Sequence, residues 1–198
     1  MKNSFIYLAS QSPRRAELLR QLGLDFEIVT APVDENVRPA ESPEHYVRRV
    51  AHDKAMAAVR TFGGSPPAPL LAADTSVVVG NRILGKPHDR GEGLAMLARL
   101  AGRSHQVLSA VALWTADGLL EALSTSEVRF RDLAPAEAEA YWDTGEPADK
   151  AGGYAIQGLG AVFITGLVGS YSGVMGLPLF ETAELLRQAG LEIMMKQV

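Results

Sequence analysis

The decapeptide Leu70–Val79, Leu-Leu-Ala-Ala-Asp-Thr-Ser-Val-Val-Val, constrains the fold of this chain more than any other stretch. Its apolar residues read as a long strand, and Gly80-Asn81 turns that strand into a partner at Arg82–Leu84. Asp74 lies in the middle of it. An acid in an apolar strand is costly unless it is paired or bound to a cation. Asp74 therefore ranks ahead of the other acids as a functional candidate. The alternative is an aspartate satisfied by backbone amides at a strand bend.

Strands and helices alternate around this segment. Phe5–Ala9 and Phe26–Thr30 read as short strands. Ser12-Pro13 and Ser42-Pro43 are two helix starts, each with serine as N-cap and proline at the first helical position. The first helix stops at Gly23; the second carries Val47, Val50, Ala51, Ala55 and Ala58 and ends near Arg60. Further helices are expected from Glu92 to Ala101, from Pro135 to Asp143 and from Pro178 to Gln188. Gln106–Thr115 and Leu119–Phe130 form a hairpin around Asp117-Gly118. Thr144–Gly160 is glycine-rich and irregular, and Ala161–Val168 is the last strand. Alternation interrupted by hairpins points to an α/β fold, a mixed sheet with flanking helices. With no internal repeat and no long linker, one domain over residues 1–198 is expected.

Composition removes several classes. Apolar residues are 47% and charged residues 21%, which argues against disorder. A net charge of −4 suits neither nucleic acid nor an anionic membrane surface, so no partner of either kind is expected. The chain has no cysteine, which removes disulfides, a thiol nucleophile and thiolate metal sites. No apolar run approaches the roughly 18 residues of a membrane span. The N-terminal apolar run turns polar at Ser10, too early for a signal peptide. A cytoplasmic protein is expected.

Four stretches carry candidate chemistry. Leu8-Ala9-Ser10-Gln11-Ser12-Pro13-Arg14-Arg15 leads a strand through a polar loop into a helix N-terminus, a natural anion site. Arg14 and Arg15 oppose the helix dipole there by about 0.3–1 kcal/mol each, which makes sense before a polyanion. The alternative is two solvated arginines. Lys54 falls on the apolar face of the second helix, where it either snorkels to solvent or meets a buried anion. Lys86, in Gly85-Lys86-Pro87, follows the short hairpin and could return near Asp74; alone it is an ordinary loop charge. In Asp149–Gly158 the glycines would let backbone approach a ligand, and Gln157 offers a donor and acceptor suited to a base edge. A flexible turn-rich loop is the alternative.

Together these motifs resemble the Maf-like family of nucleoside triphosphate pyrophosphatases. The resemblance rests on Leu-Ala-Ser-Gln-Ser-Pro-Arg-Arg, Ala73-Asp74-Thr75, Gly85-Lys86-Pro87, Lys150–Gly158 and Gly176-Leu177-Pro178-Leu179, and runs from Tyr7 to Leu186. Tyr-x-Ile-Gln-Gly is similar to the branch acting on dTTP and UTP rather than on 7-methyl-GTP. Ser172–Met175 departs from the family pattern, which has an asparagine and paired valines there.

The resemblance implies a long twisted mixed sheet in two lobes around a cleft, like that of inosine triphosphate pyrophosphatases. It also implies a homodimer and a divalent cation, usually magnesium. It implies cleavage of a nucleoside triphosphate to monophosphate and pyrophosphate. Ser10, Arg14, Arg15, Lys54 and Lys86 would hold the phosphates; Arg14, Thr75 and Gln157 would set specificity. Asp74 would be the general base or a metal ligand, and Glu35 a second acid near the metal or a solvated loop residue. A non-catalytic nucleotide sensor acting on cell division is the competing class.

Overall fold

The structure is a computed structural model that describes residues 5–193. Seven strands form one mixed sheet: β1 (Phe5–Leu8), β2 (Asp25–Ile28), β3 (Leu70–Val79), β4 (Arg82–Leu84), β5 (Ser104–Thr115), β6 (Gly118–Phe130) and β7 (Ile164–Val168). Their order is β2-β1-β3-β5-β6-β7, with β4 paired to β3 off that path. β1 lies parallel to β2 and β3, and every other pairing is antiparallel.

Among the described residues six α-helices flank the sheet: α1 (Pro13–Gln21), α2 (Pro43–Thr61), α3 (Arg90–Leu100), α4 (Pro135–Asp143), α5 (Tyr171–Met175) and α6 (Leu179–Gln188). Both serine-proline starts are built as expected. Ser12 Oγ accepts from Arg15 N and Ser42 Oγ from His45 N. The short helix α5 has no counterpart in the sequence reading. Its five residues are too few for a periodic signal, and Gly173 weakens its propensity. The expected strand at 161–168 is shorter, because Leu159–Phe163 winds as a 3-10 turn.

Strand alternation explains the core. On one face of the sheet, Leu70, Ala72 and Val78 pack with Leu108, Ala110 and Ala112 beneath α2. On the other face two separate clusters form. Leu71, Ala73, Val111 and Leu113 meet α1 and α6; Val77, Val107, Val128 and Phe130 meet α3 and α4. Between them runs a row of hydroxyls in register across three strands, Thr75 opposite Ser109 and Ser109 opposite Ser124. An apolar core cannot continue through that row, so the face divides. α5 covers the division: Ser109 Oγ donates to Gly173 O at 2.6 Å, and Ser126 Oγ donates to Ser170 O at 3.3 Å. Where Ser172–Met175 departs from the family pattern, Ser172 Oγ accepts from Leu179 N at 3.0 Å and so satisfies the first free N–H of α6.

Candidate active site

The cleft follows from strand lengths. β1 pairs with β3 only at Leu70 and Leu71, and β4 pairs with it only from Val77 to Val79. Between them the same edge of β3 has no strand neighbour, and Asp74, Thr75 and Ser76 lie on that open stretch. A cleft of about 1150 Å³ opens there, lined also by the loop after β1, the segment 29–37, the turn after β4 and the segment 149–157. Five cationic side chains line it, Arg14, Arg15, Lys54, Lys86 and Lys150, against the carboxylates of Glu35, Asp74 and Asp149. The cleft of a net-negative protein is locally positive.

Asp74 is 6% exposed and points to the α2 face, the same parity as Ala72 and Val78. It meets Lys54, whose Nζ donates to Asp74 Oδ1 at 2.8 Å and also lies 3.1 Å from Glu35 Oε1. The lysine on the apolar stripe thus meets a buried anion. Glu35 is placed by its loop. Tyr46 Oη donates to Glu35 O at 2.9 Å, and Arg49 donates to Asp34 O and Asn36 O on either side. Arg49 is itself anchored on Glu41, whose carboxyl it holds down at about 2. Burial, with the charges of Asp74 and Glu35, pushes the Tyr46 hydroxyl up to about 12, so it stays a donor.

Thr75, one residue on, points to the opposite face. Its Oγ1 lies 2.9 Å from Ser109 Oγ and donates to Gly176 O at 3.3 Å. The same carbonyl accepts from Arg15 Nε at 2.9 Å, while Arg15 Nη1 donates to Ser10 Oγ at 3.4 Å. Burial lowers the proton affinity of this guanidinium. All its hydrogen-bond partners are neutral, and among the described residues no carboxylate lies within ion-pair distance of it. Arg14 reaches across the cleft mouth to Asp149, 3.8 Å away.

Lys86 is exposed on the turn after β4 and lines the cleft, with no hydrogen bond from its side chain among the described residues. Gln157 likewise lines the cleft and is exposed, and its amide makes no hydrogen bond among the described residues. The glycines of this loop do not serve as the sequence suggested. Gly152, at φ +70°, packs against Val77, and its N–H donates to Gly85 O at 2.9 Å. A Cβ on Gly158 would lie 2.2 Å from Glu146 Oε2. These glycines admit the protein's own side chains and leave the ligand side to Gln157.

Three supporting residues stand outside the motifs of the sequence: Tyr46 and Arg49, which hold the Glu35 loop, and Glu146; Tyr154 belongs to Tyr-x-Ile-Gln-Gly, and its Oη is 2.8 Å from His105 Nε2 in the core. The arginine three residues after Tyr46 on one helix face, facing an acidic loop, was a usable signal. The His105–Tyr154 pair, 49 residues apart in the chain, was not.

Glu35 and Asp74 are hard oxygen donors brought together on one ammonium. No group of three or more His, Cys, Asp or Glu among the described residues could hold a metal by itself. Magnesium commonly takes one or two carboxylates and completes its shell with water and phosphate oxygens. The pair fits an ion that arrives with an anionic substrate.

A family model described as Maf-like protein matches residues 5–189. The dTTP/UTP pyrophosphatase of Saccharophagus degradans is 54% identical over 182 residues, 91% of this chain and 87% of that protein. That of Methylococcus capsulatus is 55% identical over 186 residues, 94% and 91% respectively. Among solved structures, the Staphylococcus aureus Ham1 protein aligns over 65% of this chain and 72% of its own, at 15% identity and a TM-score of 0.46. No helix among the described residues is long and apolar enough to cross a membrane.

Proposed function

This chain belongs to the Maf-like protein family, and on that premise we propose that it hydrolyses dTTP and UTP between the α and β phosphates, releasing the monophosphate and pyrophosphate. The relatives at 54% and 55% identity carry that activity in their names. One observation of this chain carries the phosphate part: Arg15 is lodged at the cleft with only neutral partners, Gly176 O and Ser10 Oγ. A desolvated guanidinium with no carboxylate at ion-pair distance among the described residues is a standing site for an anion.

A triphosphate brings about four negative charges, so the work is positioning and charge neutralisation. Ser10, Arg14 and Arg15 hold the phosphate chain from the α1 side, and Lys54 and Lys86 meet it from the opposite wall. Asp74 accepts the proton of the attacking water. Lys54 fixes the carboxylate through Oδ1, which leaves Oδ2 for that proton. In the alternative in which a metal activates the water, Glu35 and Asp74 are the residues that would hold a divalent cation, magnesium, which when bound neutralises phosphate charge and acidifies water. Gln157 reads the base, with Arg14 and Thr75 completing the specificity set; Thr75 acts from its bond to the carbonyl that also holds Arg15. The chain works as a cytoplasmic homodimer in this reading, which the family resemblance supports.

The test is release of pyrophosphate from each nucleoside triphosphate with magnesium present. Turnover of dTTP and UTP well above CTP, ATP, GTP and 7-methyl-GTP is expected. No pyrophosphate from dTTP or UTP removes the reading.

A further inference from the structure

Among the described residues the Gln157 amide makes no hydrogen bond, so the place from which it reaches into the cleft rests on the backbone that carries it. That backbone is tied down on both sides. Two residues before Gln157, Ala155 N–H donates to Tyr141 Oη at 3.1 Å. Two and three residues after it, Leu159 N–H donates to Glu146 Oε2 at 2.9 Å and Gly160 N–H to Glu146 Oε1 at 3.0 Å. The two anchors are joined, because Tyr141 Oη donates to Glu146 Oε1 at 2.7 Å. Within the span, Gly158 N–H closes a turn on Ala155 O at 3.2 Å.

The anchors come from rigid ground outside the cleft. Tyr141 is 5% exposed on α4, its ring edge-on to Phe163 with centroids 5.0 Å apart. Glu146 opens the 3-10 turn that follows α4, and Pro147 behind it is buried. Neither Tyr141 nor Glu146 lines the cleft. Burial works to raise the Glu146 carboxyl, but the bonds from Tyr141, Leu159 and Gly160 outweigh it and hold the carboxyl below its usual range. It is therefore an anion with three donors at neutral pH, the strong form of such a contact.

We propose that the Tyr141–Glu146 pair is the positioning device for base recognition, holding the 155–160 backbone so that the Gln157 amide reaches the base edge at hydrogen-bond distance. The proposal deepens the dTTP/UTP reading and rests on it. Uracil and thymine offer an N3–H donor beside an O4 acceptor, and cytosine offers the reverse order. The amide turns about its own side-chain bonds to match the edge it meets, so the tether sets the place from which it reaches, and a released backbone loses those hydrogen bonds. Base recognition then rests on residues that never touch the nucleotide.

Gly158 provides an independent handle. Its φ of −119° suits any residue. The obstacle to a side chain is Glu146 itself, with Oε2 at 2.2 Å and Oε1 at 2.7 Å from the added Cβ. Gly158→Ala therefore evicts the Glu146 carboxylate while leaving that residue in place.

The experiment measures kcat/KM for UTP, dTTP and CTP on the full chain, in the parent, Tyr141→Phe, Glu146→Gln, Gly158→Ala and Gln157→Ala with and without Glu146→Gln, with melting temperatures alongside. Amide hydrogen exchange at Leu159 and Gly160 reads the tether without catalysis. The expected result is a kcat/KM for UTP and dTTP reduced by about tenfold or more, no further reduction when Glu146→Gln is added to Gln157→Ala, and faster exchange at those two amides. A general structural loss would lower the Gln157→Ala protein further as well. Unchanged kcat/KM for UTP in the variants that fold, a further fall when Glu146→Gln is added to Gln157→Ala, or amides that stay protected after Glu146→Gln, overturns the proposal. Because Gly158→Ala keeps every tether side chain, it decides the matter if Glu146→Gln does not fold. A parent enzyme inactive on UTP and dTTP, with exchange responding as described, would sink the substrate reading and spare the tether.

Discussion

Lys54 Nζ lies 2.8 Å from Asp74 Oδ1, joining the apolar stripe of α2 to the open edge of β3. The contact spans 20 residues of sequence and gives each charge a reason to be where it is. Asp74→Asn keeps the shape and removes the proton acceptor. Turnover should fall by about 10²–10⁴-fold with the melting temperature nearly kept. Near-normal turnover in this variant would make Asp74 a structural residue.

Lys54→Ala has a second consequence. From its position alone the lysine looks dispensable to the folded chain. Paired with a carboxylate whose side chain is 8% exposed, it is not. Its removal should cost about 1–3 kcal/mol by leaving Asp74 uncompensated. Adding Asp74→Asn should return part of that loss, and a thermal-denaturation double-mutant cycle measures it. Strictly additive losses would mean the pair is not coupled.

Arg15→Ala removes a guanidinium that makes no ion pair among the described residues. Stability without ligand should change by less than about 1 kcal/mol, while UTP should protect the variant far less than the parent. The comparison is melting temperature with and without UTP under metal-free conditions, so that no turnover occurs. Equal protection of both proteins would remove Arg15 from the phosphate site.

Gln157→Ala should abolish the preference for UTP over CTP, because the amide is the group placed to read the base edge. Arg14, Lys54 and Lys86 stay in place, so CTP turnover should be little affected. Steady-state kinetics on both substrates checks this. A preserved ratio assigns base reading to another residue.

Acid should weaken the fold through His105. Burial lowers its imidazole from 6.5 to about 4. Between those values the unfolded chain binds the proton and the folded chain does not. Stability is therefore complete above pH 6.5 and is lost as pH falls toward 4. The full effect is about 3 kcal/mol, at about 1.4 kcal/mol per tenfold change in proton affinity. Denaturant titrations at several pH values in the parent and in His105→Phe should show a shallower acid loss in the variant. Parallel pH profiles would contradict a neutral buried His105.

Local chemistry was enough to read much of this protein from its residues. Ser12-Pro13 and Ser42-Pro43 place two helix starts because a cap and a fixed φ act within one turn. Leu70–Val79 and Arg82–Leu84 are strands over the bounds their composition sets, because the Gly80-Asn81 turn lies between them. Asp74 stands out because an acid in an apolar strand needs an explanation wherever the strand goes. Tertiary structure alone decided who answers each charge. Lys54 meets Asp74 because strand parity turns that carboxylate toward α2, whereas Thr75 faces Gly176 on the other side. The glycines near Gln157 look like room for a ligand, yet Gly158 makes room for Glu146, a residue twelve positions earlier. Spacing along a chain reports which face a residue takes. Which partner waits on that face depends on how far each strand runs, and here β1 and β4 stop short of each other and leave the edge of β3 open.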